Sequence, residues 1–126
     1  MLPIFLVEET TVRESGESAA FEVSGLSSQG LLLTFGITHA IEHESIGVEI
    51  YGSLDKQFWT PRPLVSFAPK SYCGTYQVVL PHCEARYLKA KWKLLRWSSR
   101  GGQPFFRFYI FAQPAEMEMM VTAGAA

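Results

Sequence analysis

Any reaction catalysed by this chain would have to use its histidines, cysteines and carboxylates. His39 and His43 stand four residues apart, with Glu42 and Glu44 beside them. A helix would put both imidazoles on one face, but the segment lacks a helical pattern. On an extended strand they share a face too far apart for one ion. The set matches no zinc-site spacing. His82 and Cys83 are adjacent, which is poor geometry for a thiol activated by an imidazole. No nucleophile elbow, phosphate loop or dinucleotide fingerprint appears. The sequence therefore implies no enzyme, no metal site and no cofactor.

The residue types that remain are those of binding. From Arg86 to Arg107 the chain carries Arg86, Lys89, Lys91, Lys93, Arg96, Arg100 and Arg107 without an acid between them. Tyr87, Trp92, Trp97, Phe105, Phe106 and Phe108 are set among these cations. The run is either the wet, solubilising side of a strand or an electrostatic surface for an anionic partner or an acidic face of another subunit. A second group comes from loops. Trp59 precedes Pro61 and Pro63, which stiffen the chain around Arg62, and Tyr72 follows in the next loop. With Trp97, these are the aromatics and hydrogen-bonding groups a glycan site in rim loops would use. The candidate binding residues are Trp59, Arg62, Tyr72, Lys89, Lys91, Lys93, Arg96, Trp97 and Arg100.

The elements that position them are strands. Residues 4–7 form a short apolar run and 14–18 a turn, and residues 19–23 alternate weakly. Residues 31–35 are continuously apolar, as in a central strand. Residues 38–45 are polar, a loop or a strand with one wet face. Ile46, Val48 and Ile50 alternate with Gly47, Glu49 and Tyr51. A turn at 52–56 follows, then strands at 64–67 and 75–80 separated by a loop at 69–74. Over 85–97, Leu88, Ala90, Trp92 and Leu94 alternate with Tyr87, Lys89, Lys91 and Lys93, which favours a strand with Trp92 in the core. Gly101 and Gly102 mark a turn, and residues 105–111 close the core. About eight strands with short turns and no amphipathic helix predict an all-β fold, an antiparallel sandwich or jelly roll, with a closed small barrel as the alternative. The sandwich is expected over 1–112, with 113–126 a frayed or helical tail.

Composition sets further bounds. The chain has 126 residues, 48% hydrophobic, enough for one domain with a real core. Residues 1–60 hold nine acids and two bases, while 61–126 hold nine bases and three acids, within a total of -1. Folding either interleaves these halves or leaves an acidic and a basic side. Cys73 and Cys83 read as two buried thiols, with one bridge as the alternative. The first residues lack the basic start and cleavage site of a signal peptide, and no apolar run is long enough to span a bilayer. A cytoplasmic location is expected, or an intracellular one before incorporation into an assembly.

Residues 48–59 run from Val48 through Gly52, Ser53 and Asp55 to Trp59. This resembles a strand–turn–strand signature of discoidin-like domains, the coagulation factor 5/8 C-type group. Ala85, Arg86 and Tyr87 are similar to a later strand of that group. The resemblance implies a galactose-binding-like jelly-roll sandwich whose loops at one end bind sugars, lipid head groups or proteins. The usual framing disulfide of that group is missing. The expected function is a non-enzymatic binding or assembly module acting through protein–protein contact, self-association included. Glycan binding is the alternative. Membrane and nucleic-acid partners are not expected, because the aromatics of the basic strand alternate away from its lysines.

Overall fold

The fold was described from a computed structural model, over residues 4–23, 30–40, 44–81, 85–96 and 106–115. Its elements are β1 (Ile4–Val12), β2 (Gly16–Glu17), β3 (Phe21–Glu22), β4 (Leu31–Ala40), β5 (Glu44–Ser53), β6 (Val65–Lys70), β7 (Gly74–Leu80), β8 (Tyr87–Arg96) and β9 (Phe106–Pro114). One sheet runs β1-β9-β4-β7 and the other β2-β8-β5-β6, with β3 also on β8. Every pairing is antiparallel. β2 and β3 follow one another along the same edge of β8, so nine segments fill eight strand positions. This is the two-sheet jelly roll expected from the strand pattern.

The break between β2 and β3 is mended by side chains. The Ser18 amide donates to the Ala90 carbonyl (2.8 Å), and the Ser18 hydroxyl accepts from the Ala90 amide (2.9 Å). Just before β2, the Ser15 hydroxyl likewise accepts from the Leu94 amide (3.0 Å). Hydroxyls thus stand in for the carbonyls that a regular strand would offer.

Several strands run beyond the apolar stretches that signal them. β1 continues to Val12 rather than ending at residue 7, and β2 lies inside the expected turn at 14–18. Residues 38–40 and 44–45 extend β4 and β5, while Pro69 and Lys70 belong to β6. The reason is common to all: ladder hydrogen bonds are made by the backbone, so a polar wet face does not end a strand. β9 runs through Pro114, and the Ala115 amide donates to the Gly30 carbonyl (3.1 Å). Residues 113 and 114, expected in a tail over 113–126, thus belong to the sheet, and 116–126 lie outside the described residues. Cys73 corrects the expectation of buried thiols. It is a free, exposed thiol between β6 and β7, because it lies in a turn that crosses from one sheet to the other. Cys83 lies outside the described residues.

The core sits between the sheets. Phe35 and Phe108 come from one sheet and meet Phe67 and Trp92 from the other. Phe35 stands edge-on to Phe67 (5.3 Å) and to Phe108 (5.7 Å), and Trp92 is edge-on to Phe108 (5.5 Å). Edge-to-face contacts add to the burial of such rings. Outside the core, Gly36 faces Tyr109 across β4 and β9, and a Cβ at 36 would collide with that ring. Phe108 touches aromatic partners in both sheets, so Phe108→Ala should cost about 3–5 kcal/mol, read as a lower urea midpoint with an unchanged slope.

Candidate functional site

β8 is fixed between β5 and the β2/β3 edge, opposite Tyr51 at Lys89, Glu49 at Lys91 and Gly47 at Lys93. Its three lysines share the outer face, as the alternation requires. Their surroundings differ from expectation, because aromatics from other segments meet them. The Lys89 ammonium lies 4.4 Å from the Trp59 ring centre, and that of Lys91 lies 4.7 Å from Tyr51. Both stand near the Glu17 carboxylate, at 3.7 and 3.9 Å. The Lys89 side chain is 13% exposed. Contacts of this kind with a partly desolvated ammonium contribute about 0.5–2 kcal/mol. Lys93 is exposed, and the side chain of Arg96 lies outside the described residues. Trp97 and Arg100 also lie outside them. Arg86 pairs with Glu22 (3.4 Å) and covers Tyr87.

The loop candidates separate. β5 pairs with β6 from Ile46 at Lys70 to Ile50 at Val65. Tyr72 therefore belongs to the Ile46 end of the sandwich, where it is 80% exposed. Trp59 forms an isolated bridge with Ser53 at the other end of β5. Arg62 is exposed in the chain between that bridge and β6. Trp59 and Tyr72 do not form one site. Among the described residues no group of three histidine, cysteine or acidic side chains is placed to hold an ion, and no helix is long and apolar enough to cross a membrane. His82, His43 and Glu42 lie outside those residues.

The Ser53 end holds an open cleft of about 530 Å³, lined by Gly52, Ser53, Leu54, Asp55, Phe58, Trp59, Thr60, Leu64 and Ala85. It is built by a turn that locks itself. The Ser53 hydroxyl donates to the Phe58 carbonyl (2.7 Å) and accepts from the amides of Asp55 (3.2 Å) and Lys56 (2.9 Å). Asp55 Oδ1 accepts from the amides of Gln57 and Phe58, each at 2.9 Å. Lys56 takes a positive φ of 67° to close the turn, and its ammonium lies 4.9 Å from the Tyr87 ring centre. The Thr60 amide donates to the Gly52 carbonyl (2.9 Å), and the Arg86 amide to the Ser53 carbonyl (3.0 Å). On this frame Leu54 is 71% and Phe58 79% exposed. Sequence reading placed the turn but passed over these two side chains. The signal was there: two large apolar residues flanking the polar stretch Asp55, Lys56 and Gln57.

No protein-family model and no curated protein sequence matches the chain. Solved structures do resemble it in fold. A chain in the structure of infectious bursal disease virus, Gx strain, matches with a TM-score of 0.55 and 12% identity, over 88% of this chain and 30% of that one. This chain thus spans about a third of that one. The Yersinia pseudotuberculosis-derived mitogen matches at 0.46 and 12% identity, over 91% and 89% of the two chains. The SPBc2 prophage-derived protein YomS matches at 0.44 and 12%, over 90% and 96%. At such identity the viral match, the one above 0.5 among these three, speaks for fold alone. It agrees with the jelly roll. Of the resemblance to discoidin-like domains, the fold likeness supports the sandwich architecture alone.

The turn makes a pH prediction. The amides of Phe58 and then Gln57 hold the Asp55 carboxyl below its ordinary value of 3.8, with Ser53 adding to them and slight desolvation opposing. A depressed carboxyl contributes its stabilisation above 3.8 and loses it as pH falls through the lower folded value. The Gln57 and Phe58 amide resonances should therefore titrate together below pH 3.8. Asp55→Asn should keep both amides hydrogen-bonded without that titration, and Asp55→Ala should free them.

Proposed function

We propose that this chain is a non-enzymatic protein-contact module, and that the turn from Leu54 to Phe58 with its adjoining cleft is the contact surface. One observation carries the reading: Leu54 and Phe58 stand 71% and 79% exposed on a backbone already fixed by Ser53 and Asp55. Apolar anchors held in advance lose little freedom on binding, and this is how small surfaces gain affinity for proteins. The glycan alternative loses its platform, because the Lys89 ammonium already stands over the Trp59 ring and Tyr72 lies at the opposite end. Nucleic acid is disfavoured for the same reason: Lys89 and Lys91 are committed to Trp59, Tyr51 and Glu17. The fold likeness to a chain in a virus structure is in keeping with an assembly role. An intracellular location, before incorporation into such an assembly, fits a free exposed thiol at Cys73.

The reading is tested on the chain itself by amide resonances followed against protein concentration and salt, beside a glycan panel. Shifts centred on residues 54–60 that survive rising salt are expected, since an apolar contact is not screened. L54S/F58S should abolish them and leave the melting temperature nearly unchanged. No concentration-dependent shift in the turn, together with glycan-dependent shifts at Trp59 and Arg62, would overturn the assignment.

A further inference from the structure

A sandwich of two open sheets has four edges, and three of them here are blunted. β1 is bulged between Phe5 and Val7 and again between Val7 and Thr10, and it carries Glu8 and Glu9. β6 has a register shift against β5 and ends in Pro69 and Lys70. β2 and β3 are two residues each. Bulges, charge, proline and shortness are the devices that stop a strand from recruiting another. β7 has none of them. Its seven residues, Gly74–Leu80, contain no charge and no proline. They pair with β4 in unbroken register, from Gly74 at Ile37 to Leu80 at Leu31. Among the described residues no other backbone hydrogen bond reaches β7. Alternate N–H and C=O groups along its free side therefore point outward.

We infer that the free edge of β7 pairs with β7 of a second copy of this chain, antiparallel, joining the two four-stranded sheets into one. The second copy is the occupant because the strand is complementary to itself. Full overlap of Gly74–Leu80 about a two-fold axis sets Thr75 against Val79, Tyr76 against Val78, and Gln77 against its own counterpart. β-branched and aromatic residues then face one another, the pairs that stabilise antiparallel ladders. The absence of charge means that no like charges meet across the axis. The contact is isologous, so it closes at two copies. It shares no residue with the Leu54–Phe58 turn.

The test uses position 77. Gln77 is exposed and its amide donates to Thr34 Oγ1 (3.3 Å), so a charge there disturbs the fold little. Sedimentation equilibrium of the parent chain should show a monomer–dimer equilibrium. Q77K and Q77E, each at the parent's melting temperature, should weaken it by up to about fivefold, because like charges would then meet on the axis. Mixing the two variants in equal amounts should restore a dimer of one copy of each. A parent chain monomeric at every concentration would overturn the inference, as would a Q77K chain that dimerises like the parent or a mixture that stays monomeric. L54S/F58S separates the two surfaces. Association lost in that variant and kept in Q77K overturns the edge pairing and leaves the turn assignment standing. The reverse result supports the edge and removes the turn.

Discussion

An unpaired ammonium between two apolar sheets would cost several kcal/mol, and that penalty registers β8. The side chains of a strand alternate strictly. A slip of one residue would turn Lys89, Lys91 and Lys93 inward and expel Leu88, Ala90, Trp92 and Leu94. No such slip is affordable, so the pairings on both sides of β8 are settled with it. The same register sets Trp92 against Phe108 and thereby joins the sheets. It also puts Lys89 over Trp59 and Lys91 over Tyr51. At the start of β8 the Arg86 amide holds the Ser53 carbonyl, and there the exposed turn begins. The candidate contact surface is thus placed by a constraint that acts on the other side of the sheet.

The division of charge along the sequence has a topological answer. The jelly roll seats acidic strands from the first half beside basic strands from the second. Glu9 of β1 reaches Arg107 of β9 at 2.9 Å, and Glu22 of β3 pairs with Arg86. Glu17 of β2 lies near Lys89 and Lys91, and Glu49 of β5 sits opposite Lys91. Single exposed pairs of this kind contribute little, about 0–1 kcal/mol each. Among the described residues, these pairs bring acids of the first half against bases of the second.

Much of the fold was legible because alternation is a property of sequence. Ile46, Val48 and Ile50 announced β5, and the lysines announced β8. Strand ends were less legible, since residues such as Glu8, Glu9, Thr10 and Thr11 extend β1 through backbone pairing that leaves no apolar trace. The site was legible in part. Trp59 and the turn could be named, but the partners of Lys89 and Lys91 could not, because Trp59, Tyr51 and Glu17 come from distant segments. Local alternation sends Trp92 of β8 away from its lysines, and only the register between strands brings aromatics from elsewhere to them. Leu54 and Phe58 went unremarked although their turn is local, because an apolar residue beside a turn reads as core until the Ser53 and Asp55 hydrogen bonds that hold it outward are seen.

The seat of β9 has a consequence in time rather than space. The strand lies between β1 and β4, with Ile110 opposite both Val7 and Phe35. The first sheet therefore cannot close while the chain is being made until residues 106–114 have emerged. Until then β1 lacks its neighbour, β4 keeps an open edge, and the core face that carries Leu31, Leu33 and Phe35 lacks the cover of β9. Contacts so distant along the chain form slowly. A nascent chain of this fold is thus most vulnerable to wrong partners just before its final strand arrives, and chaperone protection would matter most in that interval.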